Sequence, residues 1–263
     1  MFLSRVKVTE SVAEKSQLGL LLKDHTYGVH RLLWDLFSDT SGFLYREETT
    51  KEQLNTPRNL PLYYVLSKSQ PDKPSLLFDV ETKPFTPTLV TGESLLFKLR
   101  ANPIIAKKNP DKKHSQRHDV IMNAQRDFLI NACHERSLET IAKNKGSLQK
   151  VLLSHEDFSG KDGVRSLKKK MDLAIESAVH NWLSKRGDLY GFELESVQAT
   201  SYRWHALPEK GKTAGFSSID YEGRLKVTSS ILFTQMLVDG LGPSKAFGCG
   251  LMLIRRNQSL VNR

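Results

Sequence analysis

Apolar and polar residues alternate from Phe2 to Thr9, the two-residue period of a half-buried strand. Asp24 is placed to cap a helix running to about Phe37. On that helix Val29, Leu32, Leu33 and Leu36 form one apolar face, while Tyr27, His30 and Trp34 lie on the other. Strand-like runs follow at residues 42–46, 60–68 and 76–82. The stretch 83–92, with two prolines and a glycine, reads as a connection between domains.

The pattern then starts again. Residues 95–101 form a strand, and helices are predicted near 120–135 and 164–185. Strand segments recur at 191–203, 214–221 and 224–228. Ser229 or Ser230 caps a last helix containing Ile231, Leu232, Met236 and Leu237, which Gly240 ends, and residues 251–255 close the unit. Strand–helix–strand–strand–helix–strand, read twice, predicts an α+β protein of two tandem ferredoxin-like domains, the arrangement of RNA-recognition modules. The domains are placed at 1–91 and 92–256, with an insertion at about 104–174 in the second and a tail at 257–263. The second helix of the first half is weakly marked.

Charge adds a partner class. The chain has 263 residues, with 39 Lys and Arg against 29 Asp and Glu, a net charge of +10. Such a balance favours a polyanion, most often nucleic acid, although solubility alone can make a protein basic. The cations cluster at residues 98–118, at 168–170, and at Arg203, Lys210 and Lys212, which flank a predicted hairpin tip near 208–211 with Trp204 and His205 beside it. Solvated surface explains any one cluster equally well. The longest apolar runs are too short to span a bilayer, and the first residues lack the pattern of a secretory signal, so the chain reads as cytoplasmic. Cys133 and Cys249 have no ligand spacing around them, and His114 and His118 lack suitable carboxylates, so neither a metal site nor a small-molecule cofactor is predicted.

The densest local signal is at residues 240–252, where Gly240, Gly242, Gly248 and Gly250 surround Lys245. Glycines allow backbone N–H groups to converge on an anion, and Lys245 adds a positive charge. No Gly-Lys-Ser/Thr follows, as a P-loop requires, and no βα unit follows, as a dinucleotide fold requires. A tight turn is the plainer alternative.

This loop, Gly-Leu-Gly-Pro-Ser-Lys-Ala-Phe-Gly-Cys-Gly-Leu, resembles the terminal glycine loop of CRISPR precursor-RNA endoribonucleases, of the CasE type found in the type I-E Cascade complex. Phe97-Lys-Leu-Arg-Ala-Asn-Pro103 is similar to the family's first strand of the second domain. Tyr221-Glu-Gly-Arg-Leu-Lys-Val227 resembles its strand turn, and Tyr27-Gly-Val-His-Arg-Leu-Leu-Trp34 its first helix, where an active-site Tyr and His stand three apart. The resemblance covers most of residues 1–103 and 175–256. It implies metal-independent cleavage of repeat RNA by the RNA's own 2′-OH, giving a 2′,3′-cyclic phosphate and a 5′-hydroxyl. It assigns proton transfer to His30, as general base or general acid, with His25 as the alternate imidazole. Tyr27 would orient the RNA and Arg31 would neutralise charge on the phosphorane. RNA contacts are expected from Arg100, Lys107, Lys108, Lys112, Lys113, Arg203, Lys210, Lys212, Gly242, Lys245, Gly248 and Gly250. The implied partners are the CRISPR repeat RNA, the crRNA 3′ hairpin and other Cascade subunits. A non-catalytic subunit that caps the hairpin and a general basic structural protein are the competing readings.

Overall fold

Strand β1 (Phe2–Val8) buries Ser4, Val6 and Val8 on one face and turns Leu3, Arg5 and Lys7 to the other, as its alternation requires. The computed structural model that shows this describes residues 1–9, 27–39, 41–48, 61–107, 116–139, 144–207, 211 and 214–256. Helix α1 (Tyr27–Trp34) packs Val29 and Leu33 onto a core shared with Val6, Tyr63 and Val65. Its expected cap Asp24 and the alternate imidazole His25 lie outside the described residues, as does the tail 257–263. Strands β2 (Phe43–Glu48), β3 (Leu62–Ser67) and β4 (Phe78–Pro84) complete a sheet in the order β2-β3-β1-β4, with every pair antiparallel. This is the ferredoxin-like strand order with one element missing. Residues 68–77 run from β3 to β4 as bends and coil where a second helix was expected. They hold Pro71 and Pro74, which cannot sit inside a helix without removing a bond.

The second half repeats the order completely. Strand β5 (Ser94–Ala101) is followed by a separate compact unit spanning Pro103–Arg186. That unit contains a hairpin of β6 (Ile104–Lys107) and β7 (Gln116–Asp119), then helix α2 (Val120–Glu135), helix α3 (Lys145–Ser154) and most of helix α4 (Gly160–Tyr190). Asp119 caps α2 by accepting from Met122 N at 2.8 Å, and Asn144 caps α3 by accepting from Ser147 N at 2.9 Å. Leu129, Cys133, Leu148, Leu152, Phe158 and Leu167 form its core. The sequence reading marked α2 and α4 but neither α3 nor the hairpin.

After α4 the chain forms β8 (Phe192–Ala206), β9 (Gly215–Val227), helix α5 (Ser230–Asp239) and β10 (Met252–Arg256). The sheet order is β10-β5-β9-β8, again fully antiparallel. Ser229 caps α5, and Gly240, at φ 75°, ends it. One expectation is corrected here. Tyr221 to Val227 make no turn between two strands; β9 runs straight through them. Gly223 is required for closeness instead, because a Cβ there would strike the Ser196 carbonyl at the bulge between Leu194 and Ser196 in β8.

Both sheets, with α1 and α5, belong to one compact unit, residues 1–102 and 187–263. Leu44, Leu66 and Leu251 are buried together where the halves meet. Beside them Asp220 accepts from Arg100 through Nε at 2.9 Å and Nη2 at 3.0 Å, and from Arg46 Nη2 at 3.3 Å. Arg46 also pairs with Glu48, which Lys98 approaches at 3.6 Å. One carboxylate from the second sheet therefore holds two arginines, one from each sheet. Removing it as Asp220→Ala leaves two largely buried guanidiniums short of a partner, and the expected loss is about 3 kcal/mol of folding stability. Urea unfolding measures this; an unchanged midpoint would show that the shared carboxylate does not join the halves.

Candidate active site

His30 sits in the middle of α1, and its ring is enclosed by aromatic groups. Phe43 stacks on it with centroids 5.0 Å apart, Trp34 lies at 5.5 Å and Tyr45 at 6.1 Å. Trp34 is four residues on and so lies above His30 on the same helix face. Phe43 and Tyr45 come from β2, where a two-residue spacing places both on the side facing α1. Partial burial lowers the His30 pKa below its ordinary 6.5, so the ring is mainly neutral at pH 7. Arg31, the next residue, is exposed. Tyr27 is the first residue of α1.

The glycine loop arrives at this pocket from the second half. Its centre is a short 3-10 turn, Lys245–Phe247. The Tyr45 hydroxyl donates to the Ala246 carbonyl at 3.3 Å, and Gly248, at φ 77°, lies against the Tyr45 ring. A Cβ at Gly248 would come within 3.2 Å of that ring and would be strained by the left-handed backbone. From the end of β5, Asn102 Nδ2 donates to Ser244 Oγ at 2.8 Å, while the Arg100 carbonyl accepts from Gly250 N at 2.8 Å. Two of the three stretches that carried the family resemblance in the second half, residues 97–103 and the glycine loop, are thus neighbours in space.

The expected anion nest is not formed by the amides after the turn. Phe247 N and Cys249 N donate to the Ser244 carbonyl, Gly248 N to Lys245 and Gly250 N to Arg100. These donors are used within the loop and on β5, and the positive charge of the loop is carried by the partly exposed Lys245. Gly242 is also partly exposed, at φ 81°. Burial pushes the Cys249 thiol up to about 12, which keeps it protonated.

A second aromatic stack ties the basic ribbon to the same loop. His205 in β8 stacks on Phe216 at 4.5 Å, and Phe216 stacks on Phe247 at 5.0 Å. His205 Nε2 is 2.7 Å from Ser218 Oγ. Burial, with Arg203 and Arg100 nearby, pulls its pKa down to about 4.

The lysines and arginines among the expected RNA contacts divide into three groups. Arg203 is exposed on the ribbon, and Lys245 stands at the loop. Arg100 is largely buried and its guanidinium is committed to Asp220. Lys108, Lys112, Lys113, Lys210 and Lys212 lie outside the described residues, as does the side chain of Lys107. The sequence reading missed Phe43, Tyr45 and Asn102. The only available signal for the first two was an edge strand with aromatic residues at alternate positions.

Among the described residues no group of three or more His, Cys, Asp or Glu side chains is placed to hold a metal ion, and no helix is long and apolar enough to cross a membrane. Residues 1–256 match the family described as CRISPR associated protein. The chain is 22% identical over 231 residues to the CRISPR system Cascade subunit CasE of Escherichia coli K12, an alignment covering 86% of this chain and 89% of the relative. The crystal structure of Cas6e from Escherichia coli K-12 superposes with a TM-score of 0.57 at 20% identity, covering 98% of this chain and 100% of that one. Thermus thermophilus Cse3, bound to an RNA representing a pre-cleavage complex, gives a TM-score of 0.61 at 21% identity, covering 97% and 98%. These likenesses show the double ferredoxin-like fold. Since the family match runs through α1, both sheets and the glycine loop, this chain belongs to the CRISPR-associated protein family.

Proposed function

We propose that this protein is a metal-independent endoribonuclease that cuts CRISPR repeat hairpins in precursor crRNA and keeps the product as a Cascade subunit. The observation that carries this reading is His30, a partly buried imidazole beside Tyr45, on a helix that contacts the Lys245–Phe247 turn of the glycine loop to which Tyr45 is bonded. The relatives support it: CasE is named as a Cascade subunit, and Cse3 has been captured with RNA in a pre-cleavage complex.

RNA brings its own nucleophile. A neutral His30 takes the proton of the 2′-OH, whose oxygen then bonds to the adjacent phosphorus as the bond to the 5′-oxygen breaks. That oxygen takes a proton from solvent water and leaves as a 5′-hydroxyl, and the other end becomes a 2′,3′-cyclic phosphate. Charge builds on the non-bridging oxygens in between, and Arg31, beside His30 on α1, is the cation to offset it. Tyr27, three residues before His30, orients the RNA. The β8–β9 ribbon and Lys245 grip phosphates near the end of the stem, where an A-form groove opens to side chains.

His30→Ala is expected to abolish cleavage in EDTA while hairpin affinity stays within a few-fold of wild type, measured by mapping RNA ends and by filter binding. Full cutting by that variant places the chemistry elsewhere, and a wild type that binds without cutting supports the hairpin-capping reading instead. The pH profile tests the direction of proton transfer. As a base, His30 must be deprotonated, so kcat/KM falls as pH drops through its lowered pKa, with the midpoint below 6.5. A rate that falls as pH rises through the same range would make the imidazole a proton donor.

A further inference from the structure

The pairing of β8 with β9 extends beyond the four-stranded sheet. Strand β5 stops pairing with β9 at Ile219, but β8 continues through Arg203↔Ser218, Trp204↔Ser217, His205↔Phe216 and Ala206↔Gly215. These last pairs are a two-stranded projection whose outer strand is β8. Its faces are unlike each other. The face of His205 is closed by Phe216 and Phe247. Trp204, its neighbour in the strand, faces the other way and is 47% exposed. The indole rests on the backbone of β9, because a Cβ on Gly215 would fall 2.5 Å from Trp204 Cζ2 and 2.8 Å from Cε2. Gly215 thus lets a large ring lie down on the ribbon with one face supported by backbone and the other turned to solvent. Arg203, one position earlier, is exposed.

We propose that Trp204 is a stacking platform for one unpaired nucleobase of the bound RNA, beside the hairpin stem. The proposal rests on the RNA-processing reading above and adds a subsite to it. A flat aromatic surface accepts any base, since every base has a π-face. The chain's +10 charge, with the exposed Arg203 on the opposite face of the same ribbon, favours an anionic polymer over a hydrophobic protein surface as the occupant. The role is binding, not chemistry, as Trp204 lies on the face of the ribbon turned away from Phe247 and the glycine loop.

The test compares two RNAs made from the host's repeat, a blunt stem-loop and the same stem-loop with its single-stranded flanks. Both carry a 2′-deoxy substitution at the cut site to prevent cleavage. Wild type is expected to prefer the flanked RNA by about tenfold, the worth of one stacked base. Trp204→Ala should lose that preference while binding the blunt stem-loop as wild type does. Trp204→Phe should keep most of the preference, and Trp204 fluorescence should be quenched by the flanked RNA alone. Equal preference in Trp204→Ala and wild type overturns the platform but leaves the RNA reading intact, and equal weakening toward both RNAs assigns Trp204 to the stem or to folding. A wild type that binds neither RNA overturns the parent reading as well.

Discussion

Strand β2 is the constraint on which the site depends, because its two faces do two jobs. Successive side chains of a strand point to opposite sides. Phe43 and Tyr45 face α1 and wall the His30 ring, whereas Leu44 and Arg46 face the second half, one in the apolar seam and one on Asp220. A slip of one residue in the pairing of β2 with β3 would exchange these sets. It would put a guanidinium against the imidazole and an aromatic ring against a buried carboxylate. The position of His30 and the joining of the halves are therefore fixed by the same register.

The glycine loop depends on that strand in turn. Its glycines resemble an anion-binding nest in sequence, yet the amides after the turn are spent on carbonyls of the loop and of β5. What the glycines supply is closeness. Gly248 lets the loop lie against Tyr45, and Gly240 lies where a Cβ would meet the Leu44 methyl carbons at 2.8 and 2.9 Å. Both contacts are with β2. The loop is packed against side chains from both faces of this edge strand.

Local pattern made most of this architecture legible. The alternation in β1, the apolar face of α1 and the serine and glycine bounding α5 are properties of neighbours in sequence; β1 and α5 formed where their patterns placed them, and α1 ends at Trp34, short of the expected Phe37. The second helix of the first half, weakly marked in the sequence, is not formed by residues 68–77. Contacts made at long range were not legible. Arg46 and Asp220 are 174 positions apart, and Tyr45 and Ala246 are 201 apart, so neither pair leaves a trace in local periodicity. Gly223 shows the limit clearly. Glycine marks both turns and close approaches, and only the bulge in the neighbouring strand decides between them.

Charge counting has a similar limit, and it bears on how the site would act. A count of lysines and arginines treats every cation as available to a polyanion. Arg100 and Arg46 are committed to Asp220, and Lys98 lies between Glu48 and Glu222, so the seam takes up positive charge that the composition credits to binding. Among the described residues Arg31, Arg203 and Lys245 make no ion pair, and they sit on three different elements: helix α1, strand β8 and the glycine loop. Burial lowers the pKa of the His30 imidazole, with no charge partner contributing. Under the proposed reading this separates two tasks. Affinity would come from cations spread over both halves, and would weaken with salt. Proton transfer would come from a ring whose pKa is set by burial, and would respond to salt far less.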